Sequence, residues 1–264
     1  MRGIFNKVVL LIAALTVTGM TVRLLTVVIP QKARAVDPSA GIAYLAERET
    51  AIYTEPSPTP VPTEPTAESV TYYEIKDNNF KAAFKDIYFC GDSITQAMYE
   101  YGILDIYHVT AAIGVGTSHL DRNLSWIVDL KPKYIVLHYG VNVMGSESDA
   151  LPFIENYKTS IEALQEKLPD TVIFVDSIFP VQPKAYKQAP GTKNIDYYNQ
   201  KISEMCAELG VHYINHTPLW ENYEKDYYEG DGIHPIYSYY TEQYLPYIYT
   251  EVMKTIEAQE LSDT

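Results

Sequence analysis

Five short apolar runs alternate with longer amphipathic stretches between residues 87 and 215. Each run is rich in β-branched and aromatic residues, which is typical of buried strands. The runs are Ile87 to Cys90, His108 to Ala112, Tyr134 to His138, Thr171 to Asp176 and Val211 to Asn215. Strands that alternate with helices predict an α/β fold, a three-layer α/β/α sandwich in which helices cover both faces of a mainly parallel five-stranded sheet.

The stretches between these runs have the spacing of helices that pack on a sheet. Apolar residues recur every three or four positions from Pro152 to Leu168 and from Ile195 to Leu209, which predicts two crossover helices. Near the C-terminus, Tyr240 and Tyr244 have the same spacing, with Tyr247 one turn further on, and they predict the inner face of a final helix. Proline has no backbone N–H, so Pro246 is expected to kink or restart that helix.

The N-terminus carries a different pattern, an almost unbroken apolar run from Val8 to Pro30 that follows Arg2 and Lys7. It is long enough to span a bilayer as a helix. We interpret residues 1–35 as an uncleaved signal anchor. The alternative is a signal peptide that is cleaved after Ala33-Arg34-Ala35, and secretion would follow. Either interpretation places the rest of the chain outside the cytoplasm, in the first case as a single-pass protein of the cell membrane.

A proline- and threonine-rich stretch separates this segment from the α/β domain. Between Glu55 and Thr66, proline occupies nearly every second position, which predicts an extended and semi-rigid chain. We therefore divide the sequence into the N-terminal segment, a linker over residues 36–70 and a catalytic domain over residues 71–264. Ile42 to Ile52 could form a short helix within the linker.

Two motifs at opposite ends of the domain supply the groups of a nucleophilic site. Gly91-Asp92-Ser93-Ile94 follows the first strand-like run, and Asp231-Gly232-Ile233-His234 comes near the C-terminus. A serine hydroxyl needs a base to accept its proton and a third group to orient that base. Ser93, His234 and Asp231 are therefore candidates for nucleophile, base and orienting carboxylate. Each motif alone could also be an ordinary turn.

Two other strand-like runs end in residues suited to stabilising an oxyanion. Asn142 follows the third run, and a side-chain amide at that place can donate to a tetrahedral intermediate. The second run ends in Gly114 and Gly116, where backbone N–H groups can approach a substrate closely. Ligands of parallel α/β sheets bind at the carboxyl ends of the strands, where these residues are expected.

These four blocks, in this order, resemble the signature of the SGNH, or GDSL, hydrolase superfamily. The resemblance covers roughly residues 72–258 and implies the flavodoxin-like fold of those enzymes. It implies that Ser93, Asp231 and His234 are catalytic and that the oxyanion hole is formed by the Ser93 and Gly114 amides with Asn142. Gly116, which is followed by Thr-Ser as in some members, is the alternative to Gly114. Many members have Asp after the third-block Asn, whereas this chain has Val143.

The resemblance implies an enzyme that cleaves small acyl esters through an acyl-enzyme. Since exported, anchored members often act on acetylated glycans, we predict an extracytoplasmic serine esterase for a small-molecule or glycan acyl ester, with no metal or other cofactor. Transfer of the acyl group to a cell-envelope glycan is the main alternative, followed by a lipase- or thioesterase-type acylhydrolase. A glycan-binding domain with an inert site is the least favoured.

Composition adds limits on partners and compartment. The first 35 residues hold five basic and no acidic residues, which leaves 15 basic and 34 acidic residues and a net charge of −19 in the remainder. Such a surface argues against a nucleic-acid partner. Cys90 and Cys206 are predicted to be buried thiols, and His138 a packing residue. Several of the 24 tyrosines flank the four blocks, and a carbohydrate cleft lined by tyrosine is one interpretation.

Overall fold

The structure is a computed structural model that describes residues 72–220 and 226–262. The strands are β1 (Ile87–Gly91), β2 (Val109–Ala111), β3 (Tyr134–His138), β4 (Val172–Asp176) and β5 (His212–Ile214). They form one sheet in the order β2-β1-β3-β4-β5, and every neighbouring pair is parallel. The predicted five-stranded parallel sheet is confirmed, and each strand lies within one residue of its predicted bounds.

A helix connects each strand to the next, and further helices precede β1 and follow β5. The helices are α1 (Phe80–Ala83), α2 (Ser93–Glu100), α3 (Ser118–Leu130), α4 (Glu147–Lys167), α5 (Ile195–Leu209), α6 (Tyr237–Tyr239) and α7 (Leu245–Ser262). A π-helical segment, Tyr240–Tyr244, joins α6 to α7. Short 3₁₀ segments cover Lys76–Asn78, Ile106–His108, Pro183–Lys187, Pro190–Asn194 and Thr217–Trp220.

Alternate residues of each strand enter two separate hydrophobic cores, one on each face of the sheet. In β1, Tyr88 and Cys90 pack with α3, α4 and α5, whereas Ile87 and Phe89 pack with α1, α2 and α7. This division follows from the two-residue period of a strand. It confirms the three-layer α/β/α sandwich, since apolar residues cover both faces of the sheet.

Two helix boundaries show how local chemistry decides where a helix begins. Helix α4 starts five residues before the predicted Pro152, because the backbone N–H of Ser146 donates to Asp149 Oδ2 over 2.7 Å and caps the first turn. Helix α7 starts at Leu245, directly before Pro246, and is preceded by the π segment. The α-helical segment therefore restarts one residue before Pro246, in agreement with the predicted restart there.

The predicted N-terminal membrane segment, its cleavage site and the proline-rich linker lie outside the described residues. Across residues 72–220 and 226–262, none of the helices combines the length and apolar character that a membrane span requires. The predicted burial of both cysteines is confirmed, and neither forms a disulfide.

Candidate active site

Ser93 lies at a sharp turn between β1 and α2 and is the first residue of α2. The turn is tight: a Cβ atom on Gly91 would lie 2.0 Å from Thr95 Oγ1, so only glycine fits there. Asp92 is the N-cap of α2, and its Oδ1 accepts a hydrogen bond from the N–H of Ile94 over 3.1 Å. The N–H of Ser93 belongs to the first helical turn, where backbone donors have no acceptor within the helix.

Three side chains from the two sequence motifs form one hydrogen-bonded series. Ser93 Oγ lies 2.9 Å from Nε2 of His234, and Nδ1 of His234 lies 2.6 Å from Oδ2 of Asp231. Ser93 and His234 are 141 positions apart in the chain, and the fold brings them into contact. The geometry therefore joins all three residues that the sequence analysis selected as catalytic candidates.

Backbone donors orient the Asp231 carboxylate. Its Oδ1 accepts the N–H groups of Ile233, over 2.8 Å, and of His234, over 3.1 Å. Burial by itself raises the pKa of Asp231, but these two N–H groups and the His234 ring lower it, and the net shift is downward. Asp231 is therefore held as a carboxylate that can keep a proton on Nδ1 and leave Nε2 to face Ser93.

A segment that the sequence analysis did not single out holds the Asp231 loop in place. Gln188 Nε2 donates to the carbonyl oxygen of Asp231 over 3.2 Å, and the backbone N–H of Gln182 donates to the carbonyl oxygen of Gly232 over 2.8 Å. Gly232 has a φ of +73°, and a Cβ atom there would lie 2.6 Å from Lys184 Cε. These contacts join segments about 45 positions apart, so sequence spacing alone offers no way to find them.

Asn142 and the two candidate oxyanion glycines lie on two loops that contact one another. Asn142 Nδ2 donates to the carbonyl oxygen of Val115 over 3.2 Å, and so joins the loop after β3 to the loop that carries both candidate glycines. Gly114 has a φ of +72°, a conformation that favours glycine. A Cβ atom on Gly116 would lie 2.5 Å from Val143 Cγ1, so a larger residue there would displace the Val143 side chain.

A cleft of about 630 Å³ adjoins this site. Its walls are the loop after β3, which includes Asn142 and Met144, and the segment from Gln188 to Asn194, and His234 lies at its edge. Asn194 Nδ2 donates to the carbonyl oxygen of Gly145 over 2.7 Å, which ties the two walls together. Among the described residues that line it, His234 has the only ionisable side chain, so these residues otherwise present amide, hydroxyl and apolar groups.

None of the described tyrosines lines this cleft, so its walls give no support to a tyrosine-lined carbohydrate cleft, which stays a prediction. Tyr139, Tyr239 and Tyr240 are buried in the two cores, because their rings pack against other aromatic side chains there. His138 is buried as predicted, with its ring 4.8 Å from that of Phe179. Burial lowers the pKa of His138 to about 4. No group of metal-ligating side chains occurs within the described part of the chain.

The arrangement as a whole is typical of serine-dependent hydrolases. A hydroxyl, an imidazole and a carboxylate are hydrogen-bonded in series beside the carboxyl end of a parallel strand, and donors from two further loops lie on the same edge of the sheet.

The model of the GDSL-like Lipase/Acylhydrolase family matches residues 89–238, more than half of the chain and all four blocks. The chain belongs to this family, and it is an ester-hydrolysing enzyme. The resemblance inferred from the four blocks is thereby confirmed. No curated protein matches the sequence.

Solved structures share the fold at low sequence identity. A GDSL-like lipase from Bacteroides thetaiotaomicron VPI-5482 has a TM-score of 0.50 and 16% identity, over 66% of this chain and 90% of that one. A protein described as an acylhydrolase, from Bacteroides fragilis NCTC 9343, has a TM-score of 0.50 and 13% identity, over 70% of this chain and 99% of that one. At these identities the likeness extends to the fold alone.

Proposed function

We propose that this enzyme is a serine esterase that removes small acyl groups, chiefly O-acetyl groups, from carbohydrate outside the cytoplasm. The observation that carries the proposal is the hydrogen-bonded series from Ser93 through His234 to Asp231, with distances of 2.9 Å and 2.6 Å. It gives a serine hydroxyl both a base and an orienting carboxylate.

In the first half of the reaction, Ser93 Oγ attacks the acyl carbonyl carbon while its proton passes to Nε2 of His234. The carbonyl oxygen becomes an oxyanion, which the Ser93 N–H, the Asn142 amide and the N–H of Gly114 or Gly116 stabilise. When the intermediate collapses, the bond to the alcohol oxygen breaks and His234 donates the proton to that oxygen. The acyl group stays on Ser93 as an ester.

In the second half, His234 takes a proton from water, and the resulting hydroxide attacks the acyl-enzyme. Collapse of this second intermediate returns the proton to Ser93 Oγ and releases the acid. Asp231 stays ionised throughout and stabilises the imidazolium that forms in each half. The enzyme thus ends in its starting state, with one ester bond hydrolysed.

The cleft supports a neutral, polar alcohol portion. Asn142, Ser146, Gln188, Thr192 and Asn194 contribute amides and hydroxyls, and His234 alone among the lining residues is ionisable. Sugar hydroxyls bind to amides and hydroxyls, while their CH groups can contact apolar side chains. A long acyl chain would instead require a mostly apolar groove.

The sequence supports a location outside the cytoplasm. An apolar segment between Val8 and Pro30 and a proline-rich stretch between Glu55 and Thr66 precede the domain. We propose that the segment anchors the chain in the cell membrane and that the linker carries the domain beyond it. Protease treatment of intact cells tests this, because a catalytic domain outside the membrane should be degraded. Complete protection of the domain would contradict the proposal.

A panel of esters tests the activity. The purified full-length chain is assayed on acetylated oligosaccharides and on short- and long-chain acyl esters, with Ser93→Ala as the control. We expect release of acetate from glycans, little activity on long chains and loss of both activity and fluorophosphonate labelling in the variant. Unchanged activity in Ser93→Ala would exclude the proposed nucleophile. Acetyl transfer to an added glycan, in place of acetate release, would identify a transferase.

A further inference from the structure

Asp92, the residue directly before Ser93, carries a fully buried carboxyl group that is only half satisfied. Its Oδ1 accepts the N–H of Ile94 over 3.1 Å. Among the described residues, Oδ2 has no hydrogen-bond partner. The backbone N–H groups of Ile94, Gly140 and Asp92 itself favour the ionised form of this carboxyl group, but burial outweighs them. The charge of Asp92 is therefore incompletely compensated where it lies.

Helix capping does not explain a carboxyl group at this position. Asparagine and serine cap helices as well as aspartate does, and neither places an ionisable group in the interior. Burial of a carboxylate without partners costs stability. Asp176, the other fully buried aspartate among the described residues, shows what full compensation looks like: His216 Nδ1 lies 2.6 Å from Oδ1, and the Tyr244 hydroxyl donates to Oδ2 over 2.8 Å.

Among residues 72–220 and 226–262, few ionisable groups surround Asp92. They are His138 of β3, His234 of the catalytic loop, Tyr139 after β3, Tyr157 of α4 and Tyr240 of the π segment. Burial holds the pKa of each tyrosine well above its usual value, so all three are neutral. His138 Nδ1 lies 3.9 Å from Asp92 Oδ1, and burial keeps that ring neutral near pH 7. His234 is the one neighbour that becomes charged during the proposed reaction.

We propose that Asp92 is a positioning residue for the reaction: its buried carboxyl group fixes the turn that presents Ser93, and its negative charge stabilises the imidazolium that forms on His234. The inference rests on the proposed catalytic series. In the first half of the reaction the proton passes from Ser93 Oγ through Nε2 to the alcohol oxygen, and in the second half from water through Nε2 to Ser93 Oγ. Asp92 itself neither gains nor loses a proton. Asp231 and Asp92 then act on one ring as two separate carboxylates.

The balance of effects on Asp92 agrees with this assignment. Burial raises the pKa of Asp92 to about 7, while the Ile94 N–H and the His234 charge act in the opposite direction. The carboxyl group therefore ionises in the same pH range in which a histidine becomes a competent base. Full activity requires an ionised Asp92, so lowering the pH through this range removes that condition.

The test is the pH dependence of kcat/KM on an acetyl ester, measured for the full-length enzyme and for Asp92→Asn. Asparagine keeps the cap and the size of the side chain but cannot ionise. For the wild type we expect log kcat/KM to fall below its plateau with a slope greater than 1, and for Asp92→Asn with a slope of 1. The plateau of the variant should be lower by about tenfold.

Further variants keep the two proposals apart. Asp92→Ser, a second neutral cap, should behave as Asp92→Asn does, and both should give the far-ultraviolet circular dichroism of the folded protein. Asp176→Asn, the matched buried control, should keep the wild-type slope. A slope and plateau in Asp92→Asn equal to those of the wild type would overturn the role of Asp92. If Ser93→Ala retained activity, the catalytic series itself would fail, whatever Asp92→Asn shows.

Discussion

The side-chain amide of Asn142 donates a hydrogen bond to the carbonyl oxygen of Val115 over 3.2 Å. This contact joins the loops that follow β2 and β3. The candidate oxyanion donors are the Ser93 N–H, the Gly114 or Gly116 N–H and the Asn142 amide, and they follow the neighbouring strands β1, β2 and β3. An amide NH₂ group has two donors, and the bond to Val115 uses one of them. The other remains for a substrate oxygen while the first holds the side chain still.

Replacement of Asn142 by alanine should therefore lower kcat by about 100-fold, since a preorganised oxyanion donor is lost. KM should change much less, because the carbonyl oxygen gains its charge only after binding. Steady-state kinetics on an acetyl ester measures both constants. Asn156, an exposed residue of α4, offers a control, and Asn156→Ala should match the wild type. An equal loss in both variants would argue against a specific role for Asn142.

Replacement of Asp231 by asparagine should leave the fold intact and reduce kcat by about 1000-fold or more. The amide cannot compensate the imidazolium, and it can stabilise the wrong tautomer of His234. Thermal unfolding should show a small change only, because the side chain is about one-third exposed (35%). A variant with nearly full activity would show that another group orients His234.

Gln188 offers a test of the segment that holds the catalytic loop. Its amide contacts the carbonyl oxygen of Asp231 and also lines the cleft. Gln188→Ala should raise KM for a glycan ester and lower kcat, each by about threefold to tenfold, since a small displacement of a catalytic group reduces the rate strongly. Gln200→Ala, on the exposed face of α5, should change neither constant. The prediction fails if KM and kcat of Gln188→Ala equal those of this control.

Asp92→Asn should stabilise the protein at high pH while it impairs catalysis. Burial raises the pKa of Asp92 from 3.8 to about 7, so the unfolded chain loses this proton first as the pH rises. The stability that the protonated group contributes is full below about pH 3.8 and is lost by about pH 7. The variant should therefore unfold at a temperature at least about 3 °C above that of the wild type at pH 8.

At pH 4 the two proteins should unfold at nearly the same temperature, because both side chains are then neutral. Differential scanning calorimetry at the two pH values supplies the comparison. Asp176→Asn is the control, and it should be less stable than the wild type at both values because its hydrogen bonds to His216 and Tyr244 are altered. A wild type that remains more stable than Asp92→Asn at pH 8 would show that the Asp92 carboxylate is well compensated.

Much of the fold follows from local patterns that the sequence displays directly. The run from Tyr134 to His138 is apolar throughout, as a strand buried on both faces must be, and it forms β3 with the predicted bounds. The stretch from Ile195 to Leu209 likewise forms α5 as predicted. The start of α4 was predicted five residues late because Pro152 resembles a helix start, whereas the cap of Ser146 depends on a hydrogen bond to Asp149.

The sequence by itself determined the strand and helix order, the four blocks and the choice of Ser93, Asp231 and His234, since periodicity and short motifs are local properties of the chain. Only the tertiary structure decided that Ser93 meets His234 across 141 positions and that Gln188 holds the Asp231 loop. It also decided that Asp92 is buried without a partner for Oδ2 among the described residues. Contacts and burial of this kind depend on how distant segments pack, and that packing sets the electrostatic environment of each group.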